Sequence, residues 1–183
     1  ELHQFPKEAR PIIVTDDGME MWSIDWSQIE PLVLGLMARD AEFLAPYESG
    51  GDLYEPLMRA AGIDRNTSKT VTLALMYGQG VNGMAARIGH TVESASQIRR
   101  QILEAMPKCG PWIRKVQSVA EDTGLVLTAG GRILPCPPDW TNKALNWSIQ
   151  GTAADVLCDA VCRLDEQGIG DSILIGMHDE LVV

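Results

Sequence analysis

The spacing of apolar positions along the chain predicts a mainly helical protein with short strands near both ends. A helical period predicts helices over 29–39, 52–61, 64–76, 92–105, 112–121 and 151–166. Short apolar stretches bounded by turn residues predict strands over 20–24, 126–128, 132–134, 172–176 and 180–183. Helices and hairpins in this mixed order indicate an α+β fold, with sheet segments at both ends and a helical insertion between them.

The composition adds that this fold has a substantial core. Hydrophobic residues make up 45% of the 183 residues and charged residues 22%, which excludes disordered, collagen-like and low-complexity classes. No apolar run approaches the roughly 20 residues needed to span a bilayer, and no signal peptide pattern opens the chain. We therefore expect a cytoplasmic protein. Because the chain lacks an initiating Met and ends within an apolar run, we also expect it to be a piece of a longer protein.

The four cysteines and three histidines do not suggest a metal site or a disulfide framework. They contain no CxxC pair and none of the spacings typical of zinc ligands. Cys158 and Cys162 are four residues apart in an apolar helical stretch, which predicts small buried thiols. This pattern suits a reducing compartment.

Charge is distributed unevenly along the chain, whose formal net charge is −10. Eleven basic and six acidic residues lie between residues 59 and 143, whereas the two flanks together hold four basic and nineteen acidic residues. A basic insert between acidic flanks could bind phosphate with one part and cations with the other. An ordinary solvated surface with uneven charge explains the same numbers.

Two acidic clusters stand at predicted strand ends. Asp25 follows the first strand and directly precedes a helix, while Asp179 and Glu180 lie between the last two strands. Asp25 could simply cap the helix, and the second pair could be a solvated turn. Taken together, the clusters suggest an oxygen-only site suited to Mg²⁺, and two such ions are a common arrangement for in-line displacement at phosphorus.

One predicted helix places two cations and an aromatic residue on a single face. Arg65, Lys69, Leu73 and Tyr77 recur at steps of four. The two cations near the helix start add to the positive end of the helix dipole, which favours a polyphosphate. The apolar continuation then suits a sugar and a base, so the face fits a nucleoside triphosphate. An amphipathic helix with a solvated Lys69 is the alternative.

Asn146 and Gln150 form a fourth segment with chemical potential. They are four residues apart and precede the small residues of Gly151 to Ala154. Side-chain amides can contact minor-groove acceptors of a duplex without distinguishing all bases. They could equally cap the start of a helix.

These segments, in this order, resemble the polymerase core of the family A DNA polymerases, the bacterial DNA polymerase I type. Asp25 to Glu30 reads DWSQIE and is similar to motif A, Arg65 to Gly78 is similar to motif B, and His178 to Glu180 is similar to motif C. Residues 149–155 match the QGTAAD signature, and residues 2–6 are similar to a stretch upstream of motif A. The matched segments span nearly the whole chain.

The resemblance implies a template-directed DNA polymerase that adds dNTPs to a primer 3′-OH using two Mg²⁺ ions, with Mn²⁺ as an alternative. Asp25, Asp179 and the carbonyl of Trp26 would be the metal ligands, and Glu180 would support them. Lys69 would bind the triphosphate and protonate the pyrophosphate. The other implied dNTP contacts are Arg65, Leu73, Tyr77, Glu30, Gln28 and Tyr54, of which Glu30 would exclude a 2′-hydroxyl.

The resemblance also implies partners and domains. Primer-template DNA would contact Asn146, Gln150, Gln28, Gly78 and, at the primer end, His178. Residues 1–40 and 132–183 would form an antiparallel palm, and residues 41–131 a mainly helical fingers insertion. The thumb and any exonuclease would belong to the rest of a longer polymerase chain.

The chain departs from the family pattern at several site positions. Leu73 replaces the usual aromatic residue, Tyr54 replaces a frequent His, and Asn142 stands where an Arg is usual, although Lys143 is adjacent. A Leu at position 73 is found in phage-encoded members, which is consistent with a phage source. Two alternatives stay open: a phage-type single-subunit RNA polymerase, and a non-catalytic acidic metal-binding or interaction module.

Overall fold

The computed structural model describes residues 8, 12, 14–177 and 179–183. The proposed primer contact His178 and the upstream stretch 2–6 lie outside these described residues. Eight α-helices follow in chain order within the described part: α1 Ile29–Ala38, α2 Ala41–Glu48, α3 Tyr54–Ala61, α4 Arg65–Met76, α5 Val81–Ile88, α6 Val92–Glu104, α7 Cys109–Thr123 and α8 Ala144–Glu166. None of the described helices is long and apolar enough to cross a bilayer.

Short antiparallel strands complete the fold. They are β1 Ser23–Asp25, β2 Leu125–Leu127, β3 Ile133–Pro135, β4 Ile175–Met177 and β5 Glu180–Val182. Strands β1, β5 and β4 form one sheet in that order, and β2 pairs with β3 in a second sheet. Two 3₁₀ segments, Pro138–Lys143 and Gly170–Ser172, link these elements. The predicted α+β class, with helices inserted between strands of an antiparallel sheet, is confirmed.

The described residues fall into two compact units. One contains the three-stranded sheet and comprises the residues up to Ser27 together with Val156–Val183. The other, Gln28–Asp155, contains helices α1 to α7, the β2–β3 hairpin and the first half of α8. These units reflect packing, so the functional bounds at residues 40 and 131 remain a prediction.

The helical unit is organised around large buried side chains and one buried carboxylate. Phe43, Leu57 and Ile102 are fully enclosed. Asp40 is also completely buried, and its carboxylate accepts the amide of Phe43 at 3.3 Å and that of Lys108 at 2.8 Å. A buried carboxylate needs such donors, and this one ties the start of α2 to the start of α7.

The β2–β3 hairpin is attached to α8 through hydroxyl groups. Ser148 donates to the carbonyl of Leu127 at 2.7 Å, and Thr152 accepts the amide of Ala129 at 3.0 Å. A Cβ on Gly151 would lie 2.6 Å from a side-chain carbon of Thr128. The small residues after Gln150 therefore let the hairpin approach the helix closely.

Several elements differ from the pattern-based prediction. Helices α2 and α5 were not expected, because Pro46 and Gly83 interrupt them as sequence patterns. Helix α7 begins at Cys109 and takes Gly110 and Pro111 into its first turn, where a missing amide hydrogen costs little.

The final helix and the strand after it also differ. Helix α8 begins at Ala144, two turns earlier than expected. The expected strand over 172–176 is partly a 3₁₀ turn, and β4 begins only at Ile175. The expectation that Cys158 and Cys162 are buried is wrong, since both are exposed. Ala153 is the last buried residue of α8. The second half of the helix, which contains both cysteines, is therefore not packed into the core.

Candidate active site

Asp25, the last residue of β1, and Asp179, the residue before β5, are the expected metal ligands and lie one position apart in the β1–β5 register. Asp25 stands directly opposite Glu180. One position further, the amide of Trp26 donates to the carbonyl oxygen of Asp179 at 2.9 Å. The fold therefore brings the two predicted acidic clusters, at Asp25 and at residues 179–180, together at one sheet.

The side chains of Asp25 and Glu180 share one face of this sheet. Trp22 and Val183 exchange both backbone hydrogen bonds, so the alternation of an antiparallel ladder makes Asp25 and Glu180 a non-hydrogen-bonded pair. Side chains approach closely in such pairs, and like charges there are destabilising. Ser23, on the same face, donates its hydroxyl to Glu180. A cation beside Asp25 would offset the repulsion.

The chemistry of these donors fits Mg²⁺. Within the described residues, no group of three or more His, Cys, Asp or Glu side chains forms a cage for a metal ion. Mg²⁺ does not require one, because it keeps several waters and usually takes one or two carboxylates together with substrate phosphates. Asp25, Asp179 and the main-chain carbonyl of Trp26 carry oxygen atoms of that kind, and their role as metal ligands stays a prediction.

Helix α4 presents the predicted cationic face to solvent. Its N-cap, Asp64, accepts the amide of Thr67 at 3.0 Å. Arg65 and Lys69 are exposed and Leu73 is half-buried, whereas Val71 lies on the fully buried side. The steps of four therefore correspond to one accessible stripe along the helix.

Arg65 is held by two residues from the start of α3. Its Nε donates to the carboxylate of Asp52, and its guanidinium carbon lies 5.2 Å from the centre of the Tyr54 ring. Asp52 also accepts the amide of Tyr54 at 3.0 Å. The ion pair is about half exposed on the arginine side, so an incoming anion can compete with Asp52 for Arg65.

These contacts shift the proton affinities of Asp52 and Tyr54. Partial burial raises the pKa of Asp52, but the hydrogen bonds from Arg65 and from the Tyr54 amide outweigh it, and the pKa lies below its usual value. Burial raises the pKa of Tyr54 to about 12, against the opposing charge of Arg65. Both groups therefore keep a single ionisation state at neutral pH.

Three predicted site residues from distant segments meet in one hydrogen-bonded group. Glu30 accepts the hydroxyl of Tyr77 at 2.9 Å and the amide of Gln150 at 3.2 Å. The Gln150 amide also lies 3.0 Å from the Tyr77 oxygen. Burial and then the Glu30 hydrogen bond raise the pKa of Tyr77, so its hydroxyl stays protonated and can donate. Glu30 is thereby fixed from two sides.

Gln28 and Gly78, which are expected to contact DNA, also stabilise the local backbone structure. Gln28 adopts a left-handed backbone conformation before α1, and its side-chain oxygen accepts the amide of Leu53 at 2.9 Å. Gly78 has a φ of +66°, and a Cβ there would come within 2.1 Å of the Asn142 carbonyl oxygen. Asn146 is half-buried on α8. The structure leaves the expected DNA contacts of all three as predictions.

Three supporting residues were missed by sequence reasoning. Asp52 holds Arg65, Ser23 holds Glu180, and Arg132 binds Asp155 at 2.6 Å. Each pairing joins residues that are 13 or more positions apart in the sequence, so a local sequence pattern does not predict it. The position of Asp52 beside a helix start is visible in the sequence, and its carboxylate does accept the Tyr54 amide, but that position does not reveal the ion pair with Arg65.

Comparisons with known proteins agree on one family. The sequence model described as DNA polymerase family A matches residues 3–183. The chain is 33% identical over 182 residues to a DNA polymerase of Mycobacterium phage D29, covering 95% of this chain and 30% of that protein. It is 30% identical to a DNA polymerase of Mycobacterium phage L5, over 95% of this chain and 29% of the relative.

A solved structure agrees with these sequence matches. The polymerase domain of Pol1 from M. smegmatis, in complex with a DNA primer-template and dNTP, superposes with a TM-score of 0.85 at 26% identity. The match covers 99% of this chain and 37% of that chain. The chain thus spans about a third of the length of the proteins that it matches.

Proposed function

Because the chain belongs to DNA polymerase family A, we propose that it forms the nucleotidyl-transfer core of a DNA-directed DNA polymerase. The reaction joins a dNTP to a primer 3′-OH and releases pyrophosphate. The observation that carries this proposal is the register of β1 and β5, which sets Asp25 opposite Glu180 and Trp26 opposite Asp179. Primer-template DNA, dNTPs and the remainder of a longer polymerase chain are the proposed partners, in the cytoplasm of a bacterium or a phage-infected host.

In this proposal the sheet residues hold the cations. Asp25, Asp179 and the Trp26 carbonyl are the proposed ligands of two Mg²⁺ ions, or of Mn²⁺ in their place. Bound divalent cations neutralise charge on phosphoryl oxygens and favour deprotonation of an attacking hydroxyl. Glu180 is held by the hydroxyl of Ser23. It adds a second negative charge beside Asp25 and so supports the cations without being a ligand itself.

Helix α4 supplies the proposed triphosphate contacts. Lys69 is exposed and forms no ion pair within the described residues, so it is available to a phosphate and can donate a proton to the departing pyrophosphate. Arg65 binds the triphosphate after exchanging Asp52 for a phosphate oxygen. Leu73 provides the neighbouring apolar contact, whereas Tyr54, which is only 2% exposed, acts through the guanidinium of Arg65 that lies over its ring. Fixed cations of this kind stabilise charge that spreads over the transition state.

The Glu30 group is the proposed sugar filter. Hydrogen bonds from Tyr77 and Gln150 prevent Glu30 from swinging away. A rigid carboxylate in that position would clash with a 2′-hydroxyl and admit deoxyribose. Gln28, Asn146, Gly78 and His178 are the proposed contacts to the duplex and the primer end.

Primer extension by the intact polymerase chain tests the proposal. The substitution Asp179→Ala is expected to abolish extension with Mg²⁺, whereas the control Asp171→Asn, at an exposed acidic residue of the same unit, is expected to leave it unchanged. Extension that survives Asp179→Ala would remove the metal-ligand assignment. Reactions with rNTPs separate the alternatives: efficient ribonucleotide incorporation would favour an RNA polymerase, and no incorporation of either kind would favour a binding module.

A further inference from the structure

Two exposed cysteines lie one turn apart on the second half of α8. They are Cys158 and Cys162, and both belong to the unit that contains the three-stranded sheet. Neither thiol has a disulfide or a hydrogen-bond partner among the described residues. Cysteine is one of the residue types most often found fully buried. The exposure of this pair, which the sequence pattern did not predict, makes both thiols available to a ligand.

The spacing of the pair fits a bridging ion better than a disulfide bond. Residues four apart on a helix have Cβ atoms about 5–6 Å apart. A disulfide requires about 3.5–4.5 Å between these atoms, so the helix would have to distort to form one. An ion bound to both sulfurs spans roughly two metal–thiolate bonds of about 2.3 Å each. Rotation about χ1 of each cysteine can bring the sulfurs to that separation.

The donor set restricts the kind of ion. Within the part of the chain that the structure describes, no group of three or more His, Cys, Asp or Glu side chains could hold a metal. Zn²⁺ in structural sites almost always takes four protein ligands, so two thiolates alone do not satisfy it. Cu⁺ is a soft ion that prefers thiolates and, with its filled d shell, is satisfied by two of them in a linear arrangement. The pair therefore fits Cu⁺.

The charge around the pair also favours a cation. Asp159, Asp165 and Glu166 lie in the same half of α8, which contains one basic residue, Arg163. The Nε of Arg163 donates to the carboxylate of Asp159 at 2.7 Å, so this ion pair cancels the charge of the arginine. The remaining negative potential attracts cations and opposes anions.

We propose that Cys158 and Cys162 bind one Cu⁺ ion as two thiolates. Two Cu–S bonds form, two S–H bonds break and both protons pass to the solvent, while the copper remains Cu⁺. The step therefore needs no oxidant or reductant. Neither cysteine has a place in the proposed polymerase chemistry, so this inference does not depend on the proposed function.

Competition for Cu⁺ tests the proposal in the intact polymerase chain. Under anaerobic, reducing conditions the protein is titrated into the coloured complex of Cu⁺ with bicinchoninate, and the loss of colour measures transfer of the ion. The unsubstituted chain is expected to take up one Cu⁺ more than Cys158→Ser with Cys162→Ser. This difference removes the contribution of every other thiol. Each single serine variant is expected to bind about 100-fold more weakly, because a second thiolate no longer binds intramolecularly.

A matched control keeps two exposed thiols but separates them. Cys158→Ser with Val156→Cys places the thiols at positions 156 and 162, about 9 Å apart along the helix axis, and Val156 is 40% exposed. This control is expected to bind like the single variants. Equal affinity of the control and the unsubstituted chain would show ordinary thiol binding and overturn the proposal. Equal uptake by the double serine variant and the unsubstituted chain would also overturn it.

Further measurements keep the outcomes separate. Zn²⁺ is titrated in competition with a chromogenic chelator, and uptake of one Zn²⁺ by the pair without any extra Cu⁺ would overturn the proposal. If the double serine variant unfolds, Cys158→Ala with Cys162→Ala gives the same readout. Primer extension without copper should be unchanged in the cysteine variants, so the loss of copper uptake is scored independently of the loss of extension in Asp179→Ala.

Discussion

Tyr77, at the end of α4, donates its hydroxyl to the carboxylate of Glu30 in the first turn of α1, with 2.9 Å between the oxygens. The contact therefore joins α4, whose exposed face is the proposed triphosphate site, to Glu30, which is the proposed contact to the sugar. Gln150 of α8 closes the group. The orientation of Glu30 therefore depends on two residues outside its own helix.

Removing the Tyr77 hydroxyl should weaken sugar selection. In Tyr77→Phe, Glu30 loses a hydrogen bond to a charged acceptor, and we expect the ratio of kcat/KM for dNTP over rNTP to fall roughly tenfold. Single-nucleotide insertion kinetics measure this ratio. Tyr47→Phe, at a half-buried tyrosine of α2, is the control and should not change it. An unchanged ratio in Tyr77→Phe would show that the hydrogen bond from Tyr77 to Glu30 is not needed for sugar selection.

The Asp52–Arg65 pair should contribute stability that depends on pH. The pKa of Asp52 lies below its usual value in the folded state, so its contribution is present above the unfolded pKa of about 3.9 and is lost as pH falls through the lower, folded value. We expect Asp52→Asn to lower the free energy of unfolding by about 0.5 kcal/mol at neutral pH, since the pair is partly exposed.

Urea unfolding at several pH values measures this difference. The gap between Asp52→Asn and the unsubstituted protein should narrow from about pH 5 downward. Asp139→Asn, at an exposed residue of the same unit, should show no such gap. A difference that stays constant down to low pH would contradict the assigned ion pair.

Gly78 should tolerate a methyl group much less well than Gly62. Both glycines have a left-handed backbone, with φ of +66° and +64°, but a Cβ meets the Asn142 carbonyl at 2.1 Å in the first case and nothing within 4 Å in the second. We expect Gly62→Ala to cost about 1 kcal/mol from conformation. Gly78→Ala should cost about 1–3 kcal/mol more, measured by urea unfolding. Equal costs would show that the backbone at Asn142 moves aside freely.

Two of the four thiols should react in the native protein. Cys158 and Cys162 are exposed, whereas Cys109 and Cys136 are buried. Burial, followed by the charge of Asp40, raises the pKa of the Cys109 thiol, and burial raises that of Cys136. Because the thiolate is the reactive form, Ellman's reagent at pH 8 should label two thiols before unfolding and four after it.

A double variant provides the control for this labelling. Cys158→Ser with Cys162→Ser should show no native labelling but should still label twice in urea. Rapid native labelling in that variant would contradict the burial of Cys109 and Cys136.

The helices with an uninterrupted apolar period could be predicted from the sequence. Helices α1, α4 and α6 lie within one residue of their expected bounds. Helices α2 and α5 could not be found in this way, because Pro46 and Gly83 break the local pattern. Tertiary burial stabilises both helices, since Phe43 and Met84 are completely enclosed.

The residue types with proposed chemistry were also accessible from spacing and motif, as the steps of four along α4 show. Their supporting contacts were not. The bond from Ser23 to Glu180 depends on the register of β1 and β5, and the bond from Asp52 to Arg65 depends on how α3 packs against α4. Such pairings form only when the chain is folded, so the periodicity of the sequence cannot predict them.

The same stretch of α8 contacts both the β2–β3 hairpin and the hydrogen-bonded group around Glu30. Ser148 and Thr152 are engaged with the hairpin, while Gln150, between them in sequence, is engaged with Glu30 and Tyr77. A two-stranded hairpin has little stability of its own, so it depends on this anchorage. Damage to the hairpin is therefore expected to shift Gln150 and to weaken the proposed discrimination between sugars, although no hairpin residue has a proposed role in the chemistry.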